Sequence, residues 1–103
     1  MARNIYETAS PKSGETFKTL FKNANITIEE IVSSDTPEDI LYDQPNDEVV
    51  FLLQGGATLW IEDEIVELKE GDYLCIKAKK RHKLLKCETG TRWLAIHSRE
   101  PLC

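Results

Sequence analysis

The chain has 103 residues, 41% hydrophobic and 30% charged, a balance that suits one folded domain rather than a disordered segment. A chain of this size buries roughly 60–70% of its unfolded surface, enough for one core, which excludes a two-domain enzyme with its site in an interdomain cleft. Eighteen acids against 13 bases give a net charge of −5, which argues against nucleic acid and anionic membranes as partners.

No stretch approaches the ~20 apolar residues that span a bilayer. Met1–Gly14 lacks the apolar run of a signal peptide. Cys75, Cys87 and Cys103 have no metal-type spacing and cannot all pair, so the expectation is reduced thiols in a cytoplasmic protein, with Cys103 exposed.

In chain order, residues 1–14 are polar and read as a lead-in or covering segment, and residues 15–103 as a single domain. In Glu15–Lys22, Phe17, Leu20 and Phe21 fit one helical face, while Phe17, Thr19 and Phe21 also alternate; the reading is a short helix. Asn25–Ser33 is strand-like, with Ile26, Ile28 and Glu30 on one face. An acidic loop containing Pro37 and Pro45 follows. Glu48–Gln54 is apolar on both faces and reads as a buried central strand. Gly55-Gly56 signals a hairpin into Ala57–Glu62, and Asp63-Glu64 a second one into Ile65–Leu68. Glu70-Gly71-Asp72 leads to Tyr73–Ile76, a basic turn to His82–Cys87, and Glu88-Thr89-Gly90 to Thr91–Ser98. Short strands at this spacing, with turn chemistry between them, indicate an all-β antiparallel sandwich or barrel.

Two motifs on these strands resemble those of the small single-domain cupins. The first ends in Glu48, six residues and Gly55; the second runs from Gly71 to His82. The resemblance covers roughly residues 26–98 and implies a double-stranded β-helix barrel of the jelly-roll, RmlC-like type. The chain departs from the metal-binding pattern in having no H-x-H pair before Glu48; Leu41-Tyr42-Asp43-Gln44 stands there instead. The second motif carries Lys77 and Lys79 at its usual proline and glycine, and Lys86 at its terminal asparagine. The segment around Tyr42-Asp43-Gln44 and the ending Trp93-Leu94-Ala95-Ile96-His97 resemble a cupin subgroup with this variant first motif.

The resemblance implies that Glu48 and His82 point into the barrel as metal ligands, a donor set that suits Zn, Mn, Ni or Fe. Further ligands would come from Gln44, from Asp43, or from His97 on the last strand, and sequence leaves open whether Gln44 or Asp43 faces the cavity. His82 or Tyr42 would be the group within reach for proton transfer. The run Lys77–Lys83 reads as a solvated turn or as a cationic rim that draws anionic ligands toward the cavity. Val49, Phe51 and Leu53 form an outer face that a small barrel cannot cover alone, which predicts a homodimer. Two functions follow: a divalent-metal-dependent enzyme acting on a small carboxylate or sugar-like substrate, or a binding or sensor cupin without turnover.

Overall fold

The computed structural model describes every residue from Met1 to Cys103. Eight strands run β1 (Glu15–Lys22), β2 (Ile26–Ser33), β3 (Asp47–Gln54), β4 (Gly56–Ile61), β5 (Glu64–Lys69), β6 (Tyr73–Ile76), β7 (His82–Cys87) and β8 (Thr91–Ser98). They form a five-stranded sheet, ordered β1-β2-β8-β3-β6, and a three-stranded sheet, ordered β5-β4-β7, with every pairing antiparallel. This is the all-β antiparallel barrel that the strand spacing predicts.

Side-chain alternation decides what lies inside. In β4 it is strict: Ala57, Leu59 and Ile61 are buried between half-buried neighbours. On β3, Val50 and Leu52 are buried on the face that also carries Glu48. Together with Ile31, Leu68, Ile76, Leu84, Trp93 and Ala95 they make one core cluster between the sheets. The opposite face of β3, with Val49, Phe51 and Leu53, is half-buried, and Phe51 lies 5.4 Å from the Tyr73 ring, centroid to centroid.

Gly55 makes the β3–β4 turn possible. It adopts φ +92°, and a Cβ there would lie 2.9 Å from the Thr91 backbone, so only glycine fits. The next hairpin turns at Glu62-Asp63, one residue earlier than the sequence suggests, with φ of 38° and 72°. Two successive positive φ values match the twist of the flanking strands.

Two expectations are corrected. Glu15–Lys22 is a strand, not a helix: it pairs with β2, with a bulge between Thr19 and Phe21. The β2 edge offers a full row of backbone partners, and that outweighs an ambiguous local pattern. The cysteines are not all reduced either, because Cys75 and Cys103 form a disulfide. Cys87 remains a thiol, and burial first, then the Glu15 charge, pushes it up to about 11, which favours the protonated form.

The N-terminal segment is held by one buried side chain. Arg92, 7% exposed, donates from Nη1 to the Ile5 carbonyl at 3.2 Å and from Nη2 to the Thr8 carbonyl, with the Tyr6 ring centroid 5.7 Å from its guanidinium carbon. Glu30, 2% exposed, lies 3.9 Å from Nη1 as its counter-charge. No helix of the chain is long and apolar enough to cross a membrane. Arg92→Met strands a buried carboxylate and is expected to cost about 3 kcal/mol in urea unfolding. Adding Glu30→Gln recovers most of that while residues 1–10 stay open to limited proteolysis. A double variant as unstable as the single one would show that the charge pair is not the cause.

Candidate functional site

The polar residues of the interior gather at one end of the barrel. β3 and β7 start there and β8 ends there, which brings Glu48, His82 and His97 to the same level. Glu48 and His97 are direct cross-strand partners, and His82 faces them from the other sheet, opposite Ile61 on β4. A cavity of about 80 Å³ opens there; it is lined by Glu15, Glu29, Tyr42, Gln44, Glu48, His82 and His97 above an apolar floor that includes Val50, Leu59 and Trp93. That volume takes several waters or a molecule of a few heavy atoms and falls well short of a drug-sized ligand.

Glu48 is 5% exposed. Its Oε1 lies 3.7 Å from His82 Nε2 and its Oε2 lies 3.7 Å from His97 Nε2, both too long for hydrogen bonds. Burial raises its carboxyl above the ordinary range, with the His97 and His82 charges pulling the other way.

The two imidazoles differ in what holds them. His82 Nδ1 lies 3.1 Å from the Lys80 carbonyl, which can only accept, so Nδ1 carries a proton and Nε2 is the ring atom turned toward Glu48. His97 Nε2 lies 3.0 Å from Glu29 Oε1, which likewise accepts, so Nε2 carries the proton and is engaged by Glu29. A ligand role for His97 Nε2 would require giving up that bond.

The variant first motif takes its place through β7. Tyr42 and His82 exchange backbone hydrogen bonds of 2.8 and 3.0 Å, and their rings stack with centroids 5.5 Å apart. The Lys79 amide donates to the Gln44 carbonyl at 2.6 Å. This fixes the phase of the segment: Tyr42 and Gln44 line the cavity, and Asp43 is exposed. Gln44 Oε1 is buried without a hydrogen-bond partner. Burial, followed by the charges of Glu15, Glu38, Glu48 and Glu29, raises the Tyr42 phenol, which therefore stays protonated as a donor.

Two site residues escape sequence reading. Glu29 lies on the inward parity of β2 with Ile31, and Glu15 enters the cavity from β1. An acid in phase with buried Ile31 was the available signal for Glu29; Glu15 was hidden by the helical reading. Glu15 Oε2 accepts from Ser33 Oγ at 2.7 Å, and Ser33 Oγ accepts from Trp93 Nε1 at 3.1 Å. No lysine or arginine lines the cavity. Of the basic turn, Lys83 pairs outside with Asp39.

The raised Glu48 carboxyl has a testable sign. The folded chain keeps this proton to higher pH than the unfolded chain, so the contribution is full below the unfolded value near ~4.3 and is lost as pH rises toward the folded value. Glu48→Gln removes that loss. In chelator-treated protein at pH 8 it is expected to melt about 4–8 °C above the parent, on the order of 1 kcal/mol, with the gap closing by pH 4. A variant that melts at or below the parent at pH 8 contradicts a disfavoured carboxylate.

Comparisons with known proteins agree with the fold. The cupin-domain family model matches residues 35–97, more than half of the chain. No functionally curated protein matches the sequence. A Ralstonia eutropha structure named as a candidate mannose-6-phosphate isomerase superposes with a TM-score of 0.85 at 28% identity, covering 97% of this chain and 99% of that one. An RmlC-like cupin from Shewanella frigidimarina gives 0.76 at 17% identity over 89% and 82% of the two chains. A conserved Streptococcus pyogenes protein of unknown function gives 0.82 at 17% identity over 99% and 90%. The family match and the shared barrel together mean that this chain belongs to the cupin domain family.

Proposed function

We propose that this cupin holds a divalent transition ion, Zn, Mn, Ni or Fe, on Glu48, His82 and Gln44, and through it binds a small anionic molecule such as a carboxylate. The carrying observation is the Gln44 amide oxygen, buried and unpartnered in a cavity that His82 and the Glu48 carboxyl also line, with His82 Nε2 turned toward Glu48. Three acceptors face one space, and a cation satisfies all three at once. Gln44 is needed, because no three histidine, cysteine, aspartate or glutamate side chains converge closely enough to hold an ion by themselves.

Charge decides the ligand. With Glu15, Glu29 and Glu48 in the lining and no lysine or arginine, a bare anion is repelled, so an anionic ligand enters only beside a bound cation. A bound ion supplies Lewis-acid polarisation of a ligand carbonyl or carboxylate. The chain supplies the rest: with its Nε2 on the ion, His82 holds and orients it, the Tyr42 phenol donates a proton, and the Glu29-paired His97 turns its Nε2–H toward Glu48. A cytoplasmic setting, and a homodimer packed through the half-buried Val49, Phe51 and Leu53 face, belong to the same reading.

A second reading is favoured by the lack of a closed three-residue donor set: the cavity takes a neutral, hydroxyl-rich molecule whose own donors meet Gln44, His82 and Glu48, and the protein acts as a binding module. Metal titration followed by thermal unfolding separates the two. An ion at a hundredfold excess over its Kd should stabilise the chain by about 2.7 kcal/mol. Gln44→Ala and His82→Ala should each weaken that ion by about tenfold or more. No stabilisation by any of the four ions sinks the metal reading and leaves the hydroxyl-rich ligand.

A further inference from the structure

The Lys77–Arg81 turn connects two places that the site description leaves separate. On one side the Ala78 amide donates to Asp47 Oδ1 at 2.7 Å. On the other, the Lys79 amide donates to the Gln44 carbonyl at 2.6 Å, and the Lys80 carbonyl accepts from His82 Nδ1 at 3.1 Å. The turn therefore fixes the backbone of one cavity residue and the tautomer of another. Lys79 holds φ +65°, a conformation unfavourable for lysine that persists only while its surroundings enforce it.

Asp47 is in turn held by the C-terminal tail. Its Oδ2 accepts from the Leu102 amide at 2.7 Å and from the Cys103 amide at 2.9 Å. These bonds, the Cys103 amide foremost and then those of Ala78 and Leu102, keep the carboxyl below its usual range. The tail is fastened by the Cys75–Cys103 bond to β6, the edge strand of the five-stranded sheet. Both cysteines are exposed, so a small thiol can reach the bond.

We propose that Cys75–Cys103 is a reversible thiol–disulfide switch that sets the order of the Lys77–Arg81 turn and, through it, the aim of Gln44 and His82 into the cavity. The oxidant is a low-molecular-weight disulfide of the glutathione class. One cysteine thiolate attacks it to form a mixed disulfide and release one thiolate. The other cysteine thiolate then attacks the protein sulfur, forms Cys75–Cys103 and releases the second small thiolate. Two electrons pass to the small disulfide and both cysteine protons leave to solvent; two small thiols reverse the sequence. In the reduced chain the tail is untethered, Asp47 loses two of its three donors, and the turn is no longer braced against it.

This switch regulates the site proposed above and rests on that reading only for its consequence; its test does not need a bound metal. The full chain is poised in glutathione buffers, and amide exchange and the His82 ring-nitrogen shifts are read by NMR in each state. Reduction is expected to add two hydrogens to the intact mass and to speed exchange at Leu102, Cys103 and Ala78 by about tenfold, with the Val50 amide unchanged. His82 should lose its fixed Nδ1–H signature, and Cys75→Ser should behave as the reduced chain under all buffers. Equal Ala78 exchange and equal His82 shifts in both states overturn the coupling. A Cys75→Ser chain that matches the oxidised parent overturns the switch. If the switch responds as expected but no ion binds in either state, the metal reading fails alone.

Discussion

A carboxylate kept from water among other carboxylates is the constraint around which this barrel is arranged. Glu48 is 5% exposed and shares its cavity with Glu15 and Glu29. Burying a charge costs several kcal/mol unless a partner offsets it, and a permanent cation would do so most simply. None is supplied: the opposing groups are two imidazoles, both beyond hydrogen-bond distance. The interior is thus left short of positive charge, and its chemistry follows from that shortage. On electrostatic grounds it favours positive charge and hydrogen-bond donors over bare anions.

The fold makes such a cavity tolerable by dividing the barrel along its length. Strand alternation sends Glu48, Val50 and Leu52 to the same face of β3, so the acid and the core are consecutive inward residues. On β8 the same parity brings Trp93, Ala95 and His97 inward. Antiparallel pairing then collects the polar members at one end and leaves Leu52, Ala57 and Leu68 to close the other. The apolar end stabilises the domain, and the polar end is free to carry atoms that packing alone would not favour.

What could be read beforehand followed from local pattern. β3, β4 and β6 to β8 were legible because hydrophobic alternation and turn residues agree there, and the resemblance to cupin motifs implied that Glu48 and His82 point inside. Glu15–Lys22 was not legible, because its apolar residues satisfy both periods and only the open edge of β2 decides between them. The choice between Asp43 and Gln44 was equally hidden, since it depends on a single bridge between Tyr42 and His82. The Cys75–Cys103 bond joins residues 28 apart in sequence, and nothing local signals that the tail returns to β6.

Two adjacent acids on β2 show how the same strand pair serves structure on one face and chemistry on the other. Glu29 and Glu30 point to opposite sides of the sheet. Glu30 lies opposite Leu94, and its counter-charge Arg92 is two residues away on β8; Glu29 lies opposite Ala95, and its partner His97 is also two residues away. Each acid reaches its partner along a diagonal, toward the start of β8 for Glu30 and toward its end for Glu29, and the partner's chemistry then sets what each pair does. Arginine cannot give up its proton, and its pair with Glu30 stays charged while it fastens the N-terminal segment. Histidine is a cation only when protonated, so the inward pair with Glu29, 3.7 Å from Glu48 through His97 Nε2, brings no permanent positive charge to the cavity. A permanent cation inward would neutralise the cavity and close it to an ion; an imidazole outward would leave Glu30 buried and unpaired as soon as it lost its proton. The placement of arginine outside and histidine inside is therefore what lets one pair of strands brace the barrel while its interior remains able to bind.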